Sequence, residues 1–200
     1  MAIDGTGAHA GMRLPPLVAG AVQLARRRAF PFSCRPEQGR LLCALASGAR
    51  TGIAETGTGC GVGLAWMAVG ATPGVPIVSV ERDAGMAAAV AELFAGMPDV
   101  TVVHGDWTAV YDHAPYDLVV LDGGGQGKTG AAADPDLLLE PGGTLVIDDF
   151  TPARGWPPSH DGRPDEARLH WLEHPSLRAV ELRPAPDLAS IVAVRRFPGD

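Results

Sequence analysis

The sequence predicts an α/β fold, a doubly wound and mostly parallel sheet of seven strands. Three observations carry this. β-rich runs alternate with helical patterns from Thr51 to Asp149, the order of repeated strand–helix–strand units. A strand-like run ending at Glu55 passes at once into Gly57-Thr58-Gly59-Cys60-Gly61-Val62-Gly63 and a helical stretch from Leu64 to Val69. Strand, glycine turn and helix bring a nucleotide-like ligand against backbone N–H groups at a helix N-terminus. Finally, Leu177 to Arg183 and Ile191 to Phe197 are β-rich runs joined only by Pro184-Ala185-Pro186-Asp187. That link suits an antiparallel pair, so the C-terminal hairpin is expected to run against the rest of the sheet.

Two hundred residues fit one domain with a short arm, and an apolar share of 46% can build its core. The net charge of −7 argues against a general nucleic-acid surface. Cys34, Cys43 and Cys60 have neither metal-type spacing nor a paired framework, which implies reduced thiols in a cytoplasmic protein. No apolar run has the length of a membrane span, and no secretory pattern opens the chain.

The glycine turn does not fit the dinucleotide pattern G-x-G-x-x-G, because the third glycine is Val62 in one register and Leu64 in the other. The carboxylate of Glu55 faces the turn, where it could receive the ammonium of an amino-acid-like ligand. A second strand, Ile77 to Glu81, ends in an acid about twenty residues after the turn. A carboxylate there suits the two hydroxyls of a ribose; the alternative is an acid that satisfies a helix dipole.

The remaining elements follow in order. Residues 1–32 read as an arm and helix, and 33–200 as the ligand-binding domain. Met1 to Arg13 is expected to be mobile. Leu17 to Arg28 is helical and ends in three arginines, which suit a helix C-terminus or an anionic substrate group. Its apolar face is a candidate surface for a homodimer. Ser33-Cys34-Arg35-Pro36 opens a second helix with Leu41, Leu42 and Leu45 on one face.

Met86 to Met97 is helical, and Val100 to His104 is the third strand, followed by Gly105-Asp106-Trp107. Asp106 can cap the helix that starts at Trp107. The fourth strand, Tyr116 to Asp122, is continuously apolar before its terminal carboxylate, which falls in the crevice at the strand ends. Gly123 to Lys128 is a glycine-rich loop. Leu137 to Glu140 is expected to be helical, stopped by Pro141-Gly142-Gly143, and the fifth strand covers Thr144 to Asp149. Thr151 to Pro164 is a candidate substrate lid carrying His160, and Asp165 to His174 is a helix.

The run E-x-G-x-G-x-G from Glu55, the acid Glu81, and the run L-x-P-G-G-x-L-V-I-D-D from Leu139 together resemble class I S-adenosylmethionine-dependent methyltransferases. The order of motifs from Ser33 to Phe197 is most similar to the metal-dependent O-methyltransferases of the catechol and caffeoyl-CoA type. The resemblance implies a Rossmann-like sheet. It implies S-adenosyl-L-methionine held by Ser33, Glu55, Gly57, Thr58, Gly59, Gly63, Glu81, Arg82, Gly105, Asp106, Trp107 and Asp122. In that pattern Asp106 accepts from the adenine amino group and Trp107 borders the ring.

It further implies a divalent cation such as Mg²⁺ on Asp122, Asp148 and Asp149, with Asp149 standing where the family has Asn. The alternative is two solvated loop carboxylates. The family's general base, a Lys three residues after the first metal Asp, is replaced by Gly125. Lys128 and His160 are the remaining candidates, and a metal-ionised hydroxyl needs neither. The expected partner is a small-molecule methyl acceptor bearing a hydroxyl, such as a catechol-like diol. A metal-independent methyltransferase, a non-catalytic cofactor-binding module and a nicotinamide oxidoreductase are the competing readings; the broken glycine pattern disfavours the last.

Overall fold

The computed structural model describes residues 4–122 and 132–199, with Asp149 described by its backbone alone. Its centre is the four-residue strand Ile53–Thr56 (β1), buried along its whole length. β1 pairs in parallel with Ile77–Glu81 (β2) on one side and Tyr116–Leu121 (β4) on the other. Val100–His104 (β3) extends the sheet beyond β2, and Leu139–Phe150 (β5) extends it beyond β4. Two further strands, Leu177–Ala185 (β8) and Leu188–Arg195 (β9), add the antiparallel edge, giving the order β3-β2-β1-β4-β5-β9-β8. The expected seven-stranded, mostly parallel sheet with a reversed hairpin is the observed one. A separate two-stranded piece, Ser159–His160 (β6) with Arg163–Pro164 (β7), lies within the stretch expected to be a lid.

Helices cover both faces of the sheet, as a buried parallel sheet requires. Pro16–Arg27 (α1), Pro36–Ala46 (α2), Val62–Gly70 (α3) and Ala84–Leu93 (α4) share one apolar cluster that includes Leu42, Leu64, Met67 and Phe94. Pro135–Leu138 (α5), Glu166–Leu172 (α6) and the 3-10 turns of Trp107–His113 lie over the other cluster, around Val110, Leu138 and Trp171.

Several expectations are corrected. The apolar face of α1 is not free to form a dimer: Val18, Ala21, Val22, Leu24 and Ala25 are buried, and α1 packs on α3 and α4. Among the described residues before it, 4–13 are not a loose arm, since Thr6 and His9 are buried and Gly7–His9 forms a 3-10 turn. α4 stops at Leu93, short of Met97, with its C-cap Phe94 already off helical backbone at φ −99°, ψ 8°. Leu139 and Glu140 are strand, not helix. Leu139 pairs with Tyr116, and the register slip that follows places Gly142 at φ +82°, so Pro141-Gly142-Gly143 is a bulge inside β5. The hairpin turn is Pro186-Asp187 alone, because Pro184 is tolerated within β8, an edge strand. Gly123 to Lys128, with Gly125 and Lys128, lies outside the described residues.

Candidate cofactor site

The carboxyl ends of β1, β2 and β4 converge on a cavity of about 570 Å³. The glycine turn forms its floor. Gly57, Gly59 and Gly61 all have positive φ, so the chain doubles back from β1 into α3 within a few residues. Gly63 is required for a different reason: a Cβ there would stand 2.5 Å from Glu55 Oε1.

Glu55 is 1% exposed yet lines the cavity. Its Oε2 accepts from Ser79 Oγ at 2.6 Å, and Ser79 in turn meets Thr58 Oγ1 at 2.6 Å. Since Ser79 spends its one proton on Glu55, Thr58 must donate to Ser79. Burial pushes the Glu55 carboxyl well above the usual range, and the nearby charges of Asp122 and Glu81 push the same way against the Ser79 hydrogen bond. A ligand cation at this end of the cavity would reverse that balance.

Glu81 is fixed by the backbone around it. Its Oε2 accepts from Gly59 N–H and its Oε1 from Asp83 N–H, both at 2.8 Å. Each oxygen keeps a lone pair, so the carboxylate faces the cavity as a preset bidentate acceptor. Asp83 caps α4 by accepting from Met86 N–H at 2.8 Å.

Of the sequence-predicted residues, Ser33, Glu55, Gly57, Thr58, Gly59, Gly63, Glu81, Arg82, Gly105, Trp107 and Asp122 all line this cavity. Asp106 does not. It caps the turn that follows β3, accepting from Thr108 N–H at 3.1 Å and Thr108 Oγ1 at 2.9 Å, and these bonds hold its carboxyl below the ordinary value. Asp148 is buried but is not part of the cavity lining; its Oδ1 accepts from Ser190 Oγ at 3.1 Å, and Ser190 also meets Gln38 at 2.8 Å. The side chain of Asp149 is outside the described residues. Among the described residues no group of three or more His, Cys, Asp or Glu side chains is arranged to hold a metal ion. His160, in the two-residue strand β6, does not line the cavity; its side chain is 72% exposed and 3.7 Å from Asp161.

Sequence reasoning missed the apolar wall. Phe30, Phe32, Cys34, Cys60 and Met86 line the cavity too, with the Phe30 and Phe32 rings edge to face at 5.6 Å. The signal was present as Phe30-Pro31-Phe32, two aromatics around a proline just before the residues already singled out. Cys60 is buried against Met86, with sulfur atoms 3.6 Å apart, and burial raises its thiol to about 11, so it is an inert wall residue.

The sheet order and its reversed hairpin are the Rossmann-like fold seen in solved methyltransferase structures. Solved structures with this architecture include the O-methyltransferase TomG from Streptomyces achromogenes, involved in tomaymycin synthesis and bound to SAM. It is 20% identical over 97% of this chain and 96% of its own, with a TM-score of 0.72. An O-methyltransferase from Bacillus cereus in complex with SAH is 21% identical over 96% of both chains, with a TM-score of 0.73. Cofactor-bound Rv0187 from MTB is 25% identical over 94% of this chain and 93% of its own, with a TM-score of 0.75. No family model matches the sequence, and no curated protein matches it. Among the described residues no helix is long and apolar enough to cross a membrane.

Proposed function

We propose that the chain is an S-adenosylmethionine-dependent O-methyltransferase acting on a hydroxyl of a small molecule. The observation that carries this is the pair of carboxylates at adjoining strand ends. Glu81 is preset by two backbone N–H groups to take a ribose diol, and the buried Glu55, raised by burial, is placed to take an ammonium. The structural neighbours bound to SAM or SAH support the same ligand.

In this reading Trp107 borders the adenine, and the turn from Gly57 to Gly63 lets the ligand approach the backbone. The sulfonium methyl is intrinsically reactive, so the protein's work is to align the acceptor oxygen, the methyl carbon and sulfur. The oxygen lone pair forms the new O–C bond as the S–C bond breaks, leaving neutral S-adenosylhomocysteine, and the hydroxyl proton passes to a base or to water. Asp122, at the tip of β4 on the cavity wall, is placed to orient the acceptor. Lys128 and His160 remain the proposed bases, with Lys128 ahead because His160 is outside the cavity.

Asp122, Asp148 and Asp149 would hold Mg²⁺, whose chemistry is to lower the pKa of a bound hydroxyl. Their all-oxygen donor set suits such a hard cation. A metal-independent methyltransferase is the second reading, favoured by Asp148 being engaged with Ser190 below the cavity. Methyl transfer to a catechol, assayed with Mg²⁺ and with EDTA, separates the two: loss in chelator supports the metal, and full activity in chelator rejects it. Failure to transfer to any diol or amine in a panel, with cofactor binding intact, would leave a binding module.

A further inference from the structure

The N-terminal segment reaches across the molecule to the apolar wall of the cavity. Thr6 N–H donates to Pro31 O at 3.2 Å, Thr6 Oγ1 donates to Phe30 O at 2.5 Å, and Thr6 Oγ1 meets Ser33 Oγ at 2.7 Å. Gly5 packs so tightly on this stretch that a Cβ would fall 1.7 Å from Ser33 O. Thr6 itself is buried, 6% exposed.

The proton count along this chain has one solution. The Phe30 carbonyl carries no proton, so the Thr6 hydroxyl must donate to it. Thr6 then has only lone pairs for Ser33, so the Ser33 hydroxyl must donate to Thr6. Ser33 lines the cavity with its proton already turned away. What it offers a ligand is an acceptor.

Ser33 shares that cavity with the carboxylates of Glu55 and Asp122. We infer that Thr6 is a positioning residue that turns Ser33 into an acceptor, completing with Glu55 and Asp122 a pocket for the ammonium of the ligand's amino-acid end. Without Thr6 the Ser33 hydroxyl can rotate and present its proton to that ammonium, which is the wrong polarity. This rests on the proposed cofactor and goes beyond it, because Thr6 touches no ligand and belongs to none of the motifs from which the site was read.

The test compares two ligands by calorimetric titration: S-adenosylhomocysteine, which carries the amino-acid end, and 5′-methylthioadenosine, which lacks it. Thr6→Val keeps the shape and removes the hydroxyl; Thr6→Ser restores it. Thr6→Val is expected to weaken S-adenosylhomocysteine about tenfold, the size of a lost charge-assisted hydrogen bond, while leaving 5′-methylthioadenosine unchanged. Thr6→Ser is expected to recover wild-type affinity for both. Equal losses for both ligands would show that Thr6 only supports the wall, and no loss for either would show that it does nothing for binding; each result overturns the inference while leaving the cofactor reading intact. If the wild-type chain binds neither ligand, the cofactor reading falls and takes the inference with it.

Discussion

The two halves of the sheet hold their functional ends in different ways. On the side of the glycine turn, backbone N–H groups of Gly59 and of Asp83 grip the carboxylate of Glu81, while Ser79, itself held by Thr58, grips Glu55. On the side of β5 and β8 two arginines do the holding: Arg183 bonds Glu181 and Ala153 O, and Arg168 does most of the tying. Arg168, 4% exposed, bonds Asp165 and Glu181, donates to Thr151 O at 2.7 Å, and stacks 4.9 Å from the Phe150 ring centre. It ties α6 and β8 to the first residue after β5, and the following stretch to Pro164 is mostly exposed. The first half is therefore a carboxylate pair held in place by its surroundings, and the second is a fixed root carrying an exposed surface.

If that contrast is right, the largest effect belongs to the root. Arg168→Ala removes the buried partner of the half-buried Asp165 and Glu181, with only Glu181 keeping Arg183, and is expected to cost about 3 kcal/mol of stability, read by urea denaturation. Cofactor affinity measured on the folded fraction should change far less. Glu81→Ala should do the reverse, weakening S-adenosylhomocysteine about tenfold or more in calorimetry while denaturation moves little. If both variants shift both readouts alike, the division of labour is wrong.

Glu55 sharpens the cofactor side through pH. Its folded-state carboxyl is raised, so the ligand-free protein keeps a proton that the unfolded chain releases near its ordinary value. The stability it contributes is present below that value and is lost as pH rises through the folded-state value. Glu55→Gln should therefore be more stable than wild type at pH 8 by about 1–3 kcal/mol and should flatten the decline. An ammonium-bearing ligand should bind wild type more tightly as pH rises, with proton release on binding, and the Gln variant should lose that dependence. An unchanged stability–pH curve in the Gln variant would contradict the assignment.

A smaller effect concerns the wall. Ala29 sits at φ +50° just after α1, where Phe30 N–H closes back on Ala25 O at 2.9 Å. This is a helix-ending turn that favours glycine, so Ala29→Gly should add about 1 kcal/mol in the same denaturation assay. At the far end of the scale, with Lys128 taken as the base, His160→Ala should leave both cofactor affinity and turnover unchanged within a factor of about two, since an exposed side chain that does not line the cavity is nearly neutral. A large loss of turnover would bring the hairpin of β6 and β7 back over the cavity.

The same contrast explains what could be read in advance. Strands β2 and β3 were legible to the residue, because their ends are set by a carboxylate or a glycine that ligand chemistry and backbone geometry both demand. The cavity residues carried by motif were nearly all legible too. Asp106 offered two readings from sequence, a cap and an acceptor for an amino group; the cap is observed, and its carboxylate lies off the cavity lining. β5 was misread at its start because Pro141-Gly142-Gly143 signals a stop locally, while pairing of Leu139 with Tyr116 carries the strand through a bulge. Phe30-Pro31-Phe32 carried a local signal that the motifs did not absorb, whereas the reach of Thr6 to Ser33 was invisible for a plainer reason: contacts between distant parts of the chain leave no periodicity and no spacing to read.

The central claim is that the strand ends hold an activated one-carbon carrier by its ribose and its ammonium. Calorimetric titration of the purified chain with S-adenosylhomocysteine, repeated with Glu81→Ala, tests it most directly. The account predicts a single saturable site in the wild type and an affinity about tenfold or more lower in the variant. Absence of binding to the wild type, or equal affinity in the two proteins, would contradict it.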